Sequence, residues 1–320
     1  MKYLRLKTTN PYYNLAVEEA LLRNSDEDIF MLWQNEPTVV VGKNQNAYAE
    51  VDIARAAERG IHIARRITGG GAVYHDLGNI NYTFITSQKN AEVLDYAYFT
   101  APILRALAAL GLTCNLSGRN DLECDGRKFS GNAQHAKGGR ILHHGTLLFD
   151  TDIGVMSSVL KVDREKLAYR AVKSHRGRVV NLAELLDGQV DAEGLIAHIE
   201  RFVLTELGAE RGTLPDEAEI EALRARNAST EWIFSDKRYL THYTLHKRKK
   251  YPFGIVQIEM ELAKDVIEHI VISGDFFGRE PIEVLERALV GESPARLAPF
   301  DVSPYIAQMT FAEFSELLGQ

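Results

Sequence analysis

The N-terminal part of the chain contains short apolar runs separated by turn-forming residues, a pattern that predicts strands. Ile29–Trp33 and Thr38–Val41 flank a turn at Pro37, and Ile61–Ile67 is a third apolar run. In Ile80–Thr86, aromatic and polar residues alternate, which is typical of a strand whose two faces meet different surroundings. We therefore expect four strands in this region.

Other segments space their apolar residues three or four positions apart, as the buried stripe of a helix does. Asn14 stands before the first of them and is expected to be its N-cap. Gly60 and Gly111 are expected to end two others. The predicted helices are Leu15–Leu22, Val51–Arg59, Tyr98–Leu110, Leu182–Leu186 and Ala192–Leu207.

The dipeptide Asp125-Gly126 lies between two short alternating arms and is a strong signal for a β-hairpin. This turn places Lys128 on the returning strand. A further strand is predicted over Ile141–Asp150, and it contains the adjacent pair His143 and His144. Since neighbouring residues of a strand point to opposite faces, these two imidazoles are not expected to hold one metal ion together.

The sequence changes character after Thr230, where a basic stretch begins that ends at Lys250. Beyond it, Val256–Leu262 alternates strictly, and Val266–Ser273 predicts a second strand. The helices predicted to follow are Pro281–Leu289 and a last one that is opened by the capping box Thr310–Glu313. We predict a small ββαα module with its boundary at 245–250, which gives domains of 1–245 and 246–320.

The 320 residues carry a formal net charge of −7, and 45% of them are hydrophobic, as in an ordinary globular protein. The acidic balance argues against nucleic acid as a partner. No apolar run reaches the roughly 18 residues that span a membrane, and no secretory signal is expected. With Cys114 and Cys124 as its two cysteines and no paired metal motif, we expect a cytoplasmic protein with reduced thiols and no zinc site.

Two arginines, Arg65 and Arg66, run into Thr68 and three consecutive glycines, Gly69–Gly71. Glycine reaches positive φ without steric cost and lets a ligand approach the backbone N–H groups closely. Arginine adds positive charge and forked donors that suit phosphate or carboxylate. The segment is neither a Walker loop, since no Gly-Lys-Ser or Gly-Lys-Thr follows, nor a Rossmann fingerprint. It predicts a loop that holds an anionic ligand.

Five motifs, in this order along the chain, resemble those of the lipoate–protein ligase A family in the biotin/lipoate protein ligase superfamily. They are Asn14–Glu19, Arg65–Asn79, Gly118–Asp121, Gly126–Gly131 and His143–Thr146. The resemblance resumes in the C-terminal module, where Gly274–Gly278 is similar to the same segment of bacterial ligases. It implies an α+β fold, with a large mixed-sheet catalytic domain and a small C-terminal α/β accessory domain.

The resemblance implies an ATP-dependent ligase that works in two steps. Lipoate and ATP, with Mg²⁺, give lipoyl-AMP and pyrophosphate, and the lipoyl group then passes to a lysine of a lipoyl domain. The implied acceptors are the E2 subunits of 2-oxoacid dehydrogenases and the glycine-cleavage H protein. The sequence does not rank lipoate against octanoate as the acid.

The resemblance also implies roles for single residues. Lys128 is implied to contact the carbonyl and phosphate of the acyl-adenylate, where an ammonium offsets the repulsion between two anions. Asp121 is implied to help hold Mg²⁺ or to orient Lys128. The residues implied to line the adenylate and lipoyl site are Arg66, Thr68, Gly69, Gly70, Gly71, Ala72, Val73, Tyr74, Asn79, Ala133, His144, Arg176 and Arg178; the last two lie in a segment that resembles the mobile adenylate-binding loop of the family.

Each of these residues also has a plainer interpretation, as a solvated lysine, a turn residue, a core side chain or part of a basic loop. One alternative function is an octanoyl or lipoyl transferase of the same superfamily, which forms a thioester on a cysteine. Cys124 lies beside the predicted turn, away from His144, which disfavours that role, and the C-terminal module favours the complete ligase. Another alternative is a non-catalytic lipoate- or nucleotide-binding protein, whereas the arginine–glycine pattern disfavours a biotin ligase.

Overall fold

The computed structural model describes residues 1–161, 179–239 and 241–319. The described chain divides into two compact units, each assembled from separate stretches of sequence. The first unit contains residues 1–40, 51–64 and 73–228, and the second contains 41–50, 65–72 and 229–320. The second unit therefore combines the C-terminal residues with two short stretches from the N-terminal part of the chain.

The secondary structure alternates between short strands and helices along most of the chain. The strands are β1 (Lys2–Arg5), β2 (Ile29–Trp33), β3 (Thr38–Val41), β4 (His62–Arg65), β5 (Val73–His75), β6 (Asn79–Ser87), β7 (Cys114–Ser117), β8 (Asp121–Cys124), β9 (Arg127–Lys137), β10 (Arg140–Leu148), β11 (Glu210–Arg211), β12 (Leu245–Tyr251), β13 (Gly254–Ala263) and β14 (Val266–Gly274). The α-helices are α1 (Pro11–Asn24), α2 (Ala47–Glu50), α3 (Ile53–Glu58), α4 (Tyr96–Ala108), α5 (Ile153–Val159), α6 (Leu182–Leu185), α7 (Ala192–Glu206), α8 (Glu217–Asn227), α9 (Thr230–Phe234), α10 (Asp236–Tyr239), α11 (Ile282–Leu289) and α12 (Phe311–Leu318).

An eight-stranded sheet in the order β11-β1-β2-β6-β10-β9-β8-β7 runs through the first unit. β11, β1 and β2 are parallel to one another, and the remaining neighbours pair in antiparallel fashion. A smaller sheet has the order β4-β3-β5. The mixed sheet, together with the helices that accompany it, confirms the predicted α+β class.

The two faces of the large sheet differ in polarity. On one face, Phe30, Tyr82 and Phe129 enter the main apolar core, to which α4 and α7 also contribute buried side chains. Burying side chains of this size contributes about 1.5–3 kcal/mol each. On the other face, Thr83 of β6 meets Glu18 of α1. The sheet thus carries an apolar core on one side and a buried polar patch on the other.

Helix α1 begins four residues earlier than the sequence indicated. Asn10 accepts a hydrogen bond from the Tyr13 N–H at 3.0 Å, and Pro11 occupies the first helical turn. Asn14 lies inside the helix, fully buried, and its amide donates to Asn35 Oδ1 at 2.9 Å. The predicted N-cap role of Asn14 is therefore wrong, because the Asn10-Pro11 pair already supplies the cap and the first turn.

The predicted hairpin at Asp125 and Gly126 is present, and both residues have the positive φ (52° and 70°) that a tight turn of this kind needs. Strand β7 pairs with β8 so that Cys114 stands directly opposite Cys124, with 4.4 Å between the two Cα atoms. The structure joins these cysteines in a disulfide. The prediction of two reduced thiols is therefore wrong, since it ignored the strand pairing that brings them together.

The C-terminal part of the second unit is a three-stranded antiparallel sheet, β12-β13-β14, packed with α11 and α12 around Phe276 and Phe314. Both strands and both helices of the predicted ββαα module are present, and the capping box of Thr310 and Glu313 opens α12. Strand β12 was not predicted from the sequence. Most of its exposed positions are basic, so the alternation of apolar and polar residues that marks a strand is not visible there. The module is therefore βββαα.

Most of the other predicted elements are found close to their expected positions. The strands predicted at Ile29–Trp33 and Thr38–Val41 are confirmed with the same bounds. Helix α8, in contrast, was not predicted. Across the described ranges, none of the helices has both the length and the apolar character that a membrane span requires.

Candidate catalytic and ligand-binding residues

Lys128 lies on β9 just after the hairpin turn, and a carboxylate of the neighbouring strand holds its ammonium. Lys128 Nζ is 2.7 Å from Asp121 Oδ1, and the Lys128 side chain remains 40% exposed. The β8–β9 pairing shifts register between Leu122 and Glu123, so Asp121 stands opposite Gly131. Lys128 Nζ and Asp121 Oδ1 both lie near Gly131, where an added Cβ would be 3.3 Å and 3.9 Å from them. Asp121 thus orients the Lys128 ammonium, and the partly exposed side chain of Lys128 can still be reached by a ligand.

The backbone around Lys128 is fixed on both sides. The Val180 N–H donates to the Lys128 carbonyl at 2.9 Å, and the Gly131 N–H donates to Thr146 Oγ1 at 3.1 Å. A side chain on Gly131 would meet Lys128, because its Cβ would lie 3.3 Å from Nζ. A glycine at this position therefore leaves room for the ammonium.

His144 lies on the polar face of the large sheet and is oriented by the buried Glu18. The Trp33 indole N–H, which can only donate, bonds Thr83 Oγ1 at 2.9 Å. The Thr83 hydroxyl then donates to Glu18 Oε1 at 2.5 Å, and His144 Nδ1 lies 3.1 Å from the same oxygen. Glu18 is the acceptor in this series of hydrogen bonds. The arrangement therefore favours the His144 tautomer that carries its proton on Nδ1.

His143 points to the opposite face, as predicted for adjacent residues of one strand. It is fully buried, and its ring stacks on Phe99 with 4.8 Å between the centroids. Its nitrogens lie 3.0 Å from the Gln134 amide nitrogen and 3.2 Å from Asn132 Oδ1. Burial lowers the pKa of His143 well below 6.5, so this histidine is a neutral core residue.

Asn79 is the first residue of β6 and is fully buried. Its amide nitrogen donates to Asn81 Oδ1 at 2.9 Å. Its own Oδ1 is buried and has no hydrogen-bond partner among the described residues. Leaving a buried acceptor unpaired costs about 1–3 kcal/mol, so Asn79 is suited to accept a hydrogen bond from a ligand.

The other predicted residues of the first unit also lie on strands. Val73 and Tyr74 belong to β5; Tyr74 is buried, and this burial raises its pKa to about 12. Ala133 of β9 stands directly opposite His144 of β10, so the two side chains share one face of the sheet. The first unit thus brings Ala133, His144 and the buried Glu18 to the same side.

Arg66, Thr68, Gly69, Gly70, Gly71 and Ala72 belong to the second unit, where residues Thr68–Gly71 form a loop that we call the glycine loop. The Arg66 side chain folds back onto this loop. Its Nε donates to Thr68 Oγ1 at 2.9 Å, and its Nη2 donates to the carbonyls of Gly69 and Gly71 at 2.7 and 2.8 Å. Arg66 therefore fixes the shape of the loop as well as supplying positive charge.

Arg65 is a structural residue, although its type also suits an anion. It is 3% exposed, and its Nη1 donates to the carbonyls of Gly42, Lys43 and Gln45 at 2.7–3.0 Å. Its Nε and Nη2 donate to the Ile233 carbonyl. These donors bind the stretch 41–50 to α9 within the second unit. Burial lowers the pKa of Arg65 to about 10, which still leaves it charged at neutral pH.

The predicted phosphate-binding residues Arg176 and Arg178 lie outside the described residues. In the described ranges, three or more His, Cys, Asp or Glu side chains nowhere gather in a group that could hold a metal ion. The carboxylate of Asp121 bonds Lys128. An Mg²⁺ ion that accompanies ATP needs few protein ligands, because phosphates and water fill most of its coordination sphere.

Sequence reasoning missed Glu18 and Phe277 as contributors to these two groups of residues. Glu18 lies three residues after Leu15 and four before Leu22, so it sits in the apolar stripe of the predicted helix. A carboxylate in such a stripe signals a buried hydrogen-bond partner. Phe277 belongs to the Gly274–Gly278 motif, but no local pattern indicates what it contacts.

Two family models match the chain and together cover most of it. The lipoyl protein ligase A/B catalytic domain matches residues 10–203, and the bacterial lipoate protein ligase C-terminus matches residues 241–318. The lipoate–protein ligase LplJ of Bacillus subtilis is 36% identical to this chain over 97% of it and 97% of its own length.

Solved structures give the same family. A bi-partite lipoate protein ligase of Thermoplasma acidophilum, analysed with its E2 lipoyl domain, is 28% identical with a TM-score of 0.65, and the match covers 76% of this chain and 98% of that one. A lipoate–protein ligase A with bound ATP is 26% identical with a TM-score of 0.61, and the match covers 73% and 98%.

Proposed function

This chain belongs to the lipoyl protein ligase A/B family, and we propose that it joins lipoate to a lysine of a lipoyl domain at the expense of ATP. The observation that carries this proposal is the ammonium of the partly exposed Lys128 side chain, held by Asp121 near Gly131. An amide-forming ligase that uses ATP needs a fixed cation where the carboxylate and the phosphate approach each other. The Lys128 ammonium, oriented by Asp121, supplies one.

In the proposed first step, a lipoate carboxylate oxygen attacks the α-phosphorus of ATP and pyrophosphate leaves. Two anions must approach each other, and a fixed ammonium lowers the energy of the charge that develops between them. We assign this role to Lys128. The ion pair with Asp121 costs little reorganisation during the reaction, because the ammonium is already oriented before the substrates arrive.

In the proposed second step, the ε-amine of the acceptor lysine attacks the acyl carbon of lipoyl-AMP and AMP leaves. The Lys128 ammonium again lies where negative charge grows, on the acyl oxygen and the departing phosphate. AMP is a good leaving group, so no covalent intermediate on the enzyme is required. This reaction class is supported by the ligase relatives and by the ATP-bound ligase structure.

The other residues receive roles that follow from their chemistry. We assign the backbone of Gly69–Gly71, shaped by Arg66, to the anionic part of lipoyl-AMP. The unpaired Oδ1 of Asn79 suits an amino or hydroxyl donor of the nucleotide. We assign Val73, Tyr74 and Ala133 to the apolar tail, with His144 on the same face as Ala133. Arg176 and Arg178 remain predictions for the phosphates.

We assign Mg²⁺ to the ATP substrate rather than to a protein-held site. The ion would neutralise phosphate charge, with Asp121 as the available carboxylate near Lys128. As acceptors we propose the lipoyl domains of 2-oxoacid dehydrogenase E2 subunits and the glycine-cleavage H protein. An E2 lipoyl domain accompanies the Thermoplasma ligase, which supports the first of these classes.

A transferase of the same superfamily is less well supported. That reaction needs a cysteine thiolate to carry the acyl group. Both cysteines of this chain are described, and they are joined to each other as Cys114–Cys124. A thiol held in a disulfide cannot form a thioester, so the adenylate route is favoured.

The test is incubation of the protein with lipoate, ATP and Mg²⁺, with and without a lipoyl domain. Mass spectrometry reads both lipoyl-AMP and the acylated lysine of the acceptor. We expect Lys128→Ala to fold but to form lipoyl-AMP about 10²–10³-fold more slowly, as when one transition-state contact is lost. Lys137→Ala, at an exposed position of the same strand, is the matched control. Pyrophosphate release near the wild-type rate from Lys128→Ala would refute the assigned role.

A further inference from the structure

The glycine loop rests on the segment Gly274–Gly278 of the C-terminal part of the second unit, which we call the support segment. We propose that this segment positions the glycine loop for ligand binding and that Phe277 is a positioning residue for the ligation reaction. The inference rests on the proposed function for its catalytic consequence. The placement of the loop itself rests on its backbone hydrogen bonds and its close packing against Phe277.

Three backbone hydrogen bonds connect three separate stretches of the chain in a closed triangle. The Lys43 N–H donates to the Thr68 carbonyl at 2.8 Å, and the Gly274 N–H donates to the Asn44 carbonyl at 2.9 Å. The Gly70 N–H closes the triangle on the Phe276 carbonyl at 3.4 Å. The loop therefore has backbone partners on two sides, both distant from it in sequence.

The side of the loop that faces the support segment is packed too closely for any residue but glycine. A Cβ on Gly69 would lie 2.6 Å from the Phe276 carbonyl oxygen and 3.1 Å from the Phe277 ring. A Cβ on Gly70 would lie 3.1 Å from that ring, and Gly70 has a φ of +89°. The absence of side chains thus has a structural reason besides ligand access: it lets the loop lie against Phe277.

The opposite side of the loop is equally close to the stretch 41–50. A Cβ on Gly42 would lie 2.0 Å from the Gly70 carbonyl oxygen. The Arg66 guanidinium, which precedes the loop in sequence, bonds the carbonyls of Gly69 and Gly71. The loop is consequently held between the 41–50 stretch and Phe277, and its position depends on both.

The support segment is itself anchored. Phe276 is fully buried in the core of this unit, and Asp275 Oδ1 accepts the Ile255 N–H at 2.5 Å. The Phe277 carbonyl accepts the Ala307 N–H at 2.8 Å, and Phe277 as a residue is 3% exposed. These contacts make the support segment a rigid surface, which can transmit the stability of the C-terminal residues to the loop.

Loss of the Phe277 ring would remove one wall of this arrangement while leaving the loop sequence intact. The loop would then sample conformations displaced from the one that binds ligand. A displacement of about 1 Å near a reacting group costs about 10²-fold in rate. Because the loop is assigned to the anionic part of the adenylate and supplies no reacting group, we expect the loss to appear mainly as weaker substrate binding, that is, as a higher KM.

The experiment compares Phe277→Ala with Phe300→Ala in the full-length protein. Phe300 is an aromatic residue of the same unit whose ring contacts are with Phe311 and Phe314. Hydrogen–deuterium exchange of peptides that cover Thr68–Gly71 reports loop order, and steady-state lipoyl-AMP formation gives kcat and KM. We expect Phe277→Ala to exchange faster in this loop and to raise KM about 10–100-fold, with partial recovery in Phe277→Leu. Phe300→Ala should alter neither.

Two results overturn the inference. One is loop exchange in Phe277→Ala no faster than in Phe300→Ala; the other is an equal change of KM in both variants. The failure of the proposed function is a separate outcome, since the wild-type protein would then form no lipoyl-AMP at all. In that case the exchange comparison still decides whether Phe277 positions the loop.

Discussion

At the scale of residues, two adjacent arginines of one motif have different tasks. Arg66 bonds the carbonyls of the glycine loop, whereas Arg65 is buried among the carbonyls of Gly42, Lys43, Gln45 and Ile233. The sequence assigned both to an anion. Residue type alone could not separate them, because a guanidinium satisfies carbonyl oxygens as readily as it binds phosphate.

We predict that Arg65→Lys destabilises the second unit strongly. A lysine keeps the charge but loses the planar fork, so several buried carbonyls would lose their partner. We expect a loss of about 3 kcal/mol or more, comparable to breaking a buried charged network. Urea unfolding followed by Trp232 fluorescence measures it, because Trp232 donates to the Arg65 carbonyl. Arg287→Lys at an exposed position is the control, and an unchanged midpoint for Arg65→Lys would contradict the assignment.

We predict that His143 makes the first unit less stable in mild acid. Its pKa in the folded protein lies well below 6.5, so under more acidic conditions the unfolded chain binds a proton that the folded chain does not. Stability is therefore full above about pH 6.5 and falls as the pH decreases, by up to about 1.4 kcal/mol per pH unit from this group. Unfolding between pH 5 and 7, followed by Trp33 fluorescence, should show a shallower slope for His143→Gln. Equal slopes would show that folding leaves the pKa of His143 unchanged and would contradict its burial as a neutral residue.

At the scale of elements, the sequence predicted best where a local pattern decides the structure. Strand β3, the Asp125-Gly126 hairpin and the capping box of α12 follow from neighbouring residues, and each is present. Asn14 was assigned wrongly because the more N-terminal Asn10-Pro11 pair gives the stronger helix start. Strand β12 was missed because it becomes a strand only by pairing with β13.

In the candidate site too, local patterns predicted some features, whereas others depend on how the strands pair. Lys128 could be placed on a strand from the hairpin signal, and the two histidines could be assigned to opposite faces from the strand period. The sequence also offered Asp121 as a residue that orients Lys128, and the ion pair between the two is present. The disulfide of Cys114 and Cys124, in contrast, depends on which residues of β7 and β8 stand opposite each other.

At the scale of the whole molecule, the two compact units do not follow the order of the sequence. The glycine loop precedes six of the eight strands of the large sheet along the chain, yet its neighbours are the 41–50 stretch and the C-terminal support segment. The domain boundary at 245–250 rests on a change in amino-acid composition, and it remains a prediction. What composition cannot indicate is that residues 65–72 make long-range contacts with Phe276 and Phe277.

This organisation predicts how removal of residues 245–320 affects the two half-reactions. The shortened chain keeps Lys128 and Asp121 but loses the surface on which Gly69 and Gly70 rest. Pyrophosphate release from lipoate and ATP should fall by at least about tenfold. Transfer from supplied lipoyl-AMP should fall less, because the complete adenylate makes more contacts with which to order the loop. Both reactions are measured on a chain whose Trp33 fluorescence shows a folded first unit, and an equal loss in the two would refute this division of labour.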